Sequence, residues 1–282
     1  MFLQYKHHRI HYNKFGKGEK LLIVFHGFGD SGELFLNLKE SLEERYTVVA
    51  LDAPFHGETE WNSGIFYPND LKNIVNLIRA NFEHERFSMM AHSMGGLLVM
   101  GIFKYFAKYV DELILLAPAG LQDSVIYNKI LFNLPVRQLF KWTSNKPKFS
   151  SKLLEMSKKY GWLDRLTHVF FSRQLGDDKL RKRMFNTWAS LFFFPRRLSQ
   201  FRRLIRKYNI ELLIYYGQRD SLTPASAGKK FAERLQRRKK TANVEIKLVN
   251  DGHFFIRGPL NEALKKKFNE NTPEDINTAD NS

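Results

Sequence analysis

Apolar residues in this chain fall into short, nearly unbroken runs. Leu21-Leu22-Ile23-Val24-Phe25, Tyr46-Thr47-Val48-Val49-Ala50-Leu51, the stretch 87–92, Glu112-Leu113-Ile114-Leu115-Leu116-Ala117, Leu212-Leu213-Ile214-Tyr215-Tyr216 and the stretch 244–249 each have the length of a strand. Most lack the polar alternation of a strand wetted on one face. Segments with helical spacing separate them, at about 32–44, about 68–82, from Leu97 onward, near 225–238 and near 259–268. This alternation predicts an α/β fold, a mostly parallel sheet with helices on both faces. Residues 2–15 alternate more loosely and end at Gly16-Lys17-Gly18, which predicts one or two edge strands closed by a turn.

The rhythm stops between residues 121 and 209 and resumes after them. That segment is rich in Phe and Trp and shows helical spacing in stretches such as 151–160 and 197–208, so it is read as a helical insertion into one sheet domain. The core then comprises 1–120 and 210–268, and the polar, acidic end 269–282 is expected to be disordered.

At 282 residues the chain fits one large domain carrying an insertion. It contains no cysteine, which excludes a disulfide framework, a thiolate nucleophile and a cysteine-ligated metal. The first residues lack the apolar stretch of a signal peptide, and no run approaches the ~18 residues of a membrane span. A cytoplasmic protein is expected, with attachment to the inner face of a membrane left open. The net charge of +16 is concentrated: 20 Lys and Arg face only 5 Asp and Glu between 121 and 209. Such a segment attracts anions over about a Debye length, ~8–10 Å.

Candidate chemistry begins at Ala91-His92-Ser93-Met94-Gly95, where a buried strand turns directly into a helix. A serine at such a junction is pushed outward beside the free N–H groups of a helix N-terminus. The window resembles the G-x-S-x-G nucleophile elbow of the α/β-hydrolase family, with Ala91 in the first glycine position. Gly217-Gln218-Arg219-Asp220 through Pro224 resembles that family's acid loop, and Asn250-Asp251-Gly252-His253 its histidine loop. Asp52-Ala53-Pro54-Phe55-His56-Gly57 resembles its D-x-P-G-H-G loop, with Phe55 for the first glycine.

The resemblance implies Ser93 as nucleophile, Asp220 as acid and His253 as base, in the family's chain order. It implies an oxyanion hole from the backbone N–H groups of Met94 and Phe28, and no metal or organic cofactor. Asp251 is a competing acid, though its place two residues before the histidine suits it to shaping the turn. His7, His8, His11, His56, His84, His92 and His168 lack a matching loop and are read as structural or solvated.

In the family, an insertion here forms a lid over the site and sets substrate choice. Its aromatic residues are read either as the lid's own core or as a pocket for an acyl group. Its basic residues are read either as solvated helix faces or as a surface for an anionic lipid, coenzyme A or an acidic carrier protein. Arg181, Lys182, Arg183, Arg202 and Arg203 would serve a membrane if they faced one way. No motif supports nucleic-acid binding. The expected activity is hydrolysis of an ester or thioester of a hydrophobic acid. The alternatives are carbon–carbon bond hydrolysis or elimination by the same triad, as in the meta-cleavage-product hydrolases and the hydrolase-fold lyase of menaquinone synthesis, or a non-enzymatic ligand-binding protein.

Overall fold

A computed structural model describes residues 1–121, 152, 155–156, 165–237 and 243–269. The proposed helical spacing at 151–160 lies largely outside these residues, and the acidic tail lies outside them beyond Asn269. The strands are β1 (Phe2–Tyr5), β2 (His8–Phe15), β3 (Lys20–Phe25), β4 (Tyr46–Leu51), β5 (Phe87–His92), β6 (Val110–Leu116), β7 (Glu211–Gly217) and β8 (Val244–Val249). They form one sheet in the order β1-β2-β4-β3-β5-β6-β7-β8. The two N-terminal strands pair antiparallel, and every pairing from β4 to β8 is parallel. All the parallel strands therefore end on the same edge, where their following loops converge.

The continuous apolar runs become the middle of the sheet, and residues such as Ile23, Val49, Met90 and Ile114 have no exposed surface. Each large side chain buried this way, Phe25 or Phe103 for example, contributes about 1.5–3 kcal/mol. β8 differs: it is half-exposed, and it carries Glu245 and Lys247, charges that suit an edge strand.

The helices are α1 (Lys39–Leu42), α2 (Pro68–Asn81), α3 (Met94–Phe106), α4 (Arg165–Gly176), α5 (Asp178–Leu191), α6 (Leu198–Lys207), α7 (Ala225–Gln236) and α8 (Leu260–Asn269). The helix predicted over 32–44 is instead a 3₁₀ segment, Gly32–Leu38, followed by the single turn of α1. Its buried residues are Gly32, Leu34, Phe35 and Leu38, a spacing that does not by itself explain the tighter winding. α2 starts where Pro68 occupies its first turn and Asp70 reaches back to accept the Tyr67 N–H at 3.0 Å.

α3 lies under the convergent edge and is buried on nearly every side. Gly95 permits this, because a Cβ there would stand 2.3 Å from the Phe25 carbonyl oxygen. α6, which the sequence pattern assigns to the insertion, packs against α3 and α7. Its Phe201 ring lies 4.6 Å from that of Phe103 on α3 and 5.8 Å from that of Phe231 on α7. Among the described residues no helix is long and apolar enough to cross a membrane.

Candidate active site

Ser93 sits between β5 and α3 with φ +48° and ψ −114°. A non-glycine residue held there costs about 1–3 kcal/mol, so the surroundings must determine it. They do: the Ser93 N–H donates to Leu116 O at 3.0 Å, and its carbonyl accepts from the N–H groups of Gly96 and Ala119, both at 2.9 Å. The outcome is a partly exposed hydroxyl on a rigid backbone.

His253 follows β8 and Asp220 follows β7, and the chain brings both to Ser93. The Ser93 Oγ lies 2.9 Å from His253 Nε2, and His253 Nδ1 lies 2.7 Å from Asp220 Oδ2. With Nδ1–H donated to the carboxylate, Nε2 carries the lone pair and accepts the serine hydroxyl. Asp220 is buried, which by itself would raise its pKa. The hydrogen bond and charge of His253, with bonds from Thr223, outweigh burial and hold it below the ordinary carboxylate range. Asp251 takes no part in this chain: its carboxylate accepts the Gly252 N–H at 2.6 Å and shapes the turn.

The loop 26–29 lies against the nucleophile. A Cβ on Gly27 would stand 3.3 Å from the Ser93 Cβ and 2.9 Å from His92 Nδ1, so only glycine fits. His26 anchors this loop: its Nδ1–H donates to Gly27 O at 2.7 Å, and its Nε2 accepts the Ala53 N–H at 3.0 Å. Burial lowers the pKa of His26 and keeps it neutral, as that pair of bonds requires. Asp52 ties the neighbouring loop together, accepting from the N–H groups of Gly32 at 2.6 Å and Glu58 at 2.8 Å. Phe55, which stands where the related loops have glycine, has φ +71°, so the left-handed backbone is kept without the residue that favours it.

One contact of the Ser93–His253–Asp220 chain escaped the sequence reading, and one histidine read as structural or solvated is structural. Thr223 donates its hydroxyl to Asp220 Oδ2 at 2.7 Å, while the N–H groups of Leu222 and Thr223 donate to Oδ1 at 2.9 Å each. The signal was present as an Asp with a Thr three residues on, just before a helix. His92, read as structural or solvated, is fully buried with its pKa pushed down to about 3, by burial and then by the His253 charge. Neutral at Nε2–H, it donates to the His253 carbonyl at 3.2 Å and holds the histidine loop to the end of β5.

Thr223→Val should lower kcat/KM by about tenfold without unfolding the protein, since one charge-assisted bond to Asp220 is lost. Thr223→Ser should restore most of it, measured on whichever ester is turned over best.

α5 lies across these loops. Ser190 Oγ accepts the Phe66 N–H at 3.0 Å, Phe66 and Phe194 rings lie 5.2 Å apart, and the Arg183 guanidinium lies 5.6 Å from the Phe28 ring. The five basic residues considered for a membrane do not share an outward face. Arg181 is buried, bonded to Asp178 and, at 2.8 Å, to Leu175 O, and Arg183 turns toward Gln174 and Phe28. The Arg202 guanidinium lies 5.6 Å from the Phe231 ring, which leaves Lys182 and Arg203 exposed.

Comparison with known proteins places this arrangement among relatives. An uncharacterized protein of Mycobacterium tuberculosis is 28% identical over 125 residues, 43% of this chain, and the chain spans only 35% of that relative's length. The 2-hydroxy-6-oxononadienedioate/2-hydroxy-6-oxononatrienedioate hydrolase of Escherichia coli is 23% identical over 87% of this chain and 85% of its own. A solved structure of a thermophilic esterase from Thermogutta terrifontis shares the fold at a TM-score of 0.65 and 14% identity, covering 93% of this chain and 94% of that one. The sequence profile of the family described as serine aminopeptidase, S33, matches residues 16–248. An eight-stranded hydrolase sheet, with a serine elbow at its convergent edge and that profile over most of its length, shows that the chain belongs to the serine aminopeptidase S33 family of α/β-hydrolase enzymes.

Proposed function

We propose that the protein hydrolyses an ester or thioester of a hydrophobic acid through an acyl-enzyme on Ser93. The unbroken chain Ser93–His253–Asp220, at 2.9 and 2.7 Å, carries this reading. His253 Nε2 takes the serine proton as Oγ attacks the carbonyl, and Asp220 stabilises the imidazolium that forms. The N–H of Met94, which as the first residue of α3 has no acceptor within the helix, and the N–H of Phe28 receive the oxyanion. His253 returns the proton to the leaving group, then activates the water that releases the acid.

The hydrophobic preference is supported by the half-buried aromatic side chains of Phe28 and Phe55 and by exposed Phe254 beside His253. The charge of the basic segment supports an anionic partner, whether an anionic lipid surface, coenzyme A or an acidic carrier protein, though the inward turn of Arg181 subtracts from it.

Carbon–carbon bond hydrolysis is the second reading, and Arg183 favours it. Its Nε is buried with no hydrogen-bond partner among the described residues, and its guanidinium lies beside the 27–29 loop, where a substrate carboxylate would pair with it. The Escherichia coli relative is named for a dioate substrate. The test is turnover of p-nitrophenyl esters of increasing chain length, acyl-coenzyme A thioesters and a carbon–carbon cleavage substrate. Ester rates that rise with chain length are expected. Turnover of the carbon–carbon substrate alone would overturn the ester reading.

A further inference from the structure

We propose that an arginine-lined groove on the flank of the molecule binds a soluble small molecule carrying two or more phosphate charges, at a site separate from Ser93. The groove encloses about 1280 Å³ between the turn after α5, the outward face of α6 and the end of α7. Seven of its lining residues are arginine, among them Arg197 on the turn, Arg202, Arg203 and Arg206 on α6, and Arg234 and Arg237 on α7. Among the described residues the lining contains no Asp, Glu or Lys, and no member of the Ser93–His253–Asp220 chain.

The packing of α6 creates this concentration. Phe201 and Ile205 are buried in the core, so a period of 3.6 residues turns Arg203 and Arg206 the other way, with half-buried Arg202 at the boundary against the Phe231 ring. Arg206 Nη1 donates to Leu235 O at 3.3 Å and is thereby fixed across the gap between the two helices. A solvated helix face ordinarily mixes the two signs of charge at i, i+4 spacing. Here one sign lines a concavity, whose low-dielectric walls focus the field on whatever enters.

The residue type narrows the ligand further. A guanidinium stays charged at every physiological pH and presents a planar fork that matches two phosphate oxygens, which a lysine does not. Phe192, Phe193 and Leu198 add an apolar part to the lining, and the volume exceeds that of bare phosphate, so an organic portion of the ligand has a place to lie. Concavity favours a discrete molecule over a bilayer, because arginines set around an open depression meet a compact anion more readily than a plane of headgroups.

Calorimetric titration of the full chain with sodium triphosphate and with coenzyme A, at 50 and 200 mM KCl, tests the proposal. Saturable one-to-one binding, weaker by about tenfold or more at the higher salt, is expected. Arg203→Gln with Arg237→Gln, both exposed in the structure, should weaken binding by about tenfold or more while leaving the melting temperature and ester hydrolysis unchanged. The corresponding lysine pair, which keeps charge but loses the fork, should lose less. The proposal is overturned by unchanged affinity in the glutamine pair, by equal binding of acetate, or by binding to phosphatidylglycerol vesicles with none to the soluble phosphates.

Discussion

Replacement of Ser93 by alanine should lower kcat by about four to six orders of magnitude and remove all labelling by a fluorophosphonate probe. On the proposed mechanism the loss is this large because Ser93, His253 and Asp220 act as a unit. Without Oγ there is no atom 2.9 Å from His253 Nε2 to attack the carbonyl, and the base has nothing to deprotonate. The residual rate expected is that of the proposed oxyanion hole and substrate binding alone. The fold should survive, since the bonds that hold the elbow run through the main chain of Ser93, to Leu116, Gly96 and Ala119, and alanine keeps all three. Thermal unfolding of the variant separates the two effects: an unchanged melting temperature with abolished labelling is the expected pair. Labelling of a different serine in the variant would move the nucleophile, and undiminished ester turnover would remove the covalent mechanism.

Asp220→Asn should lower kcat by about three to four orders of magnitude, and Asp251→Asn by less than tenfold. Asp220 accepts four hydrogen bonds, from His253 Nδ1, the N–H groups of Leu222 and Thr223, and the Thr223 hydroxyl. An asparagine amide placed there cannot accept Nδ1–H with its nitrogen, so the imidazole is driven to the wrong tautomer and Nε2 no longer takes the serine proton. His253→Ala should match the loss at Ser93, for the same reason of shared function. The reverse ranking of the two aspartates would transfer the acid to Asp251. The pH dependence has a definite sign. Since the folded-state pKa of Asp220 is depressed, its stabilising contribution is present above the ordinary carboxylate range and is lost only as pH falls through the lowered value.

The sheet and the loops at its convergent edge were legible because their signals are local. A run such as Leu21–Phe25 is apolar at every position because both of its faces are buried, and burial on two faces means a parallel sheet covered by helices. The elbow is equally local: Ser93 needs an unusual backbone, and Gly95 needs to approach the Phe25 carbonyl, so both requirements are written into five consecutive residues. The order of the serine, acid and histidine loops follows from the order of the strands that carry them.

Element order, fold class and the identities of the loops that face one another are therefore readable from residue order. The tertiary structure alone decided the distances. Ser93 and His253 are separated by 160 residues and Asp220 and His253 by 33, and no local periodicity reports that three strand ends deliver them within hydrogen-bonding reach. It alone turned Arg181 inward onto Asp178 and Leu175 O, and it alone set α6 against α3. It also gathered the arginines of α6 and α7, far apart in sequence, into one groove. The physical reason is common to all of these. Apolar spacing records how much of a segment is buried, whereas the partner that buries it is set by packing between elements distant in the chain, which leaves no mark on either segment alone.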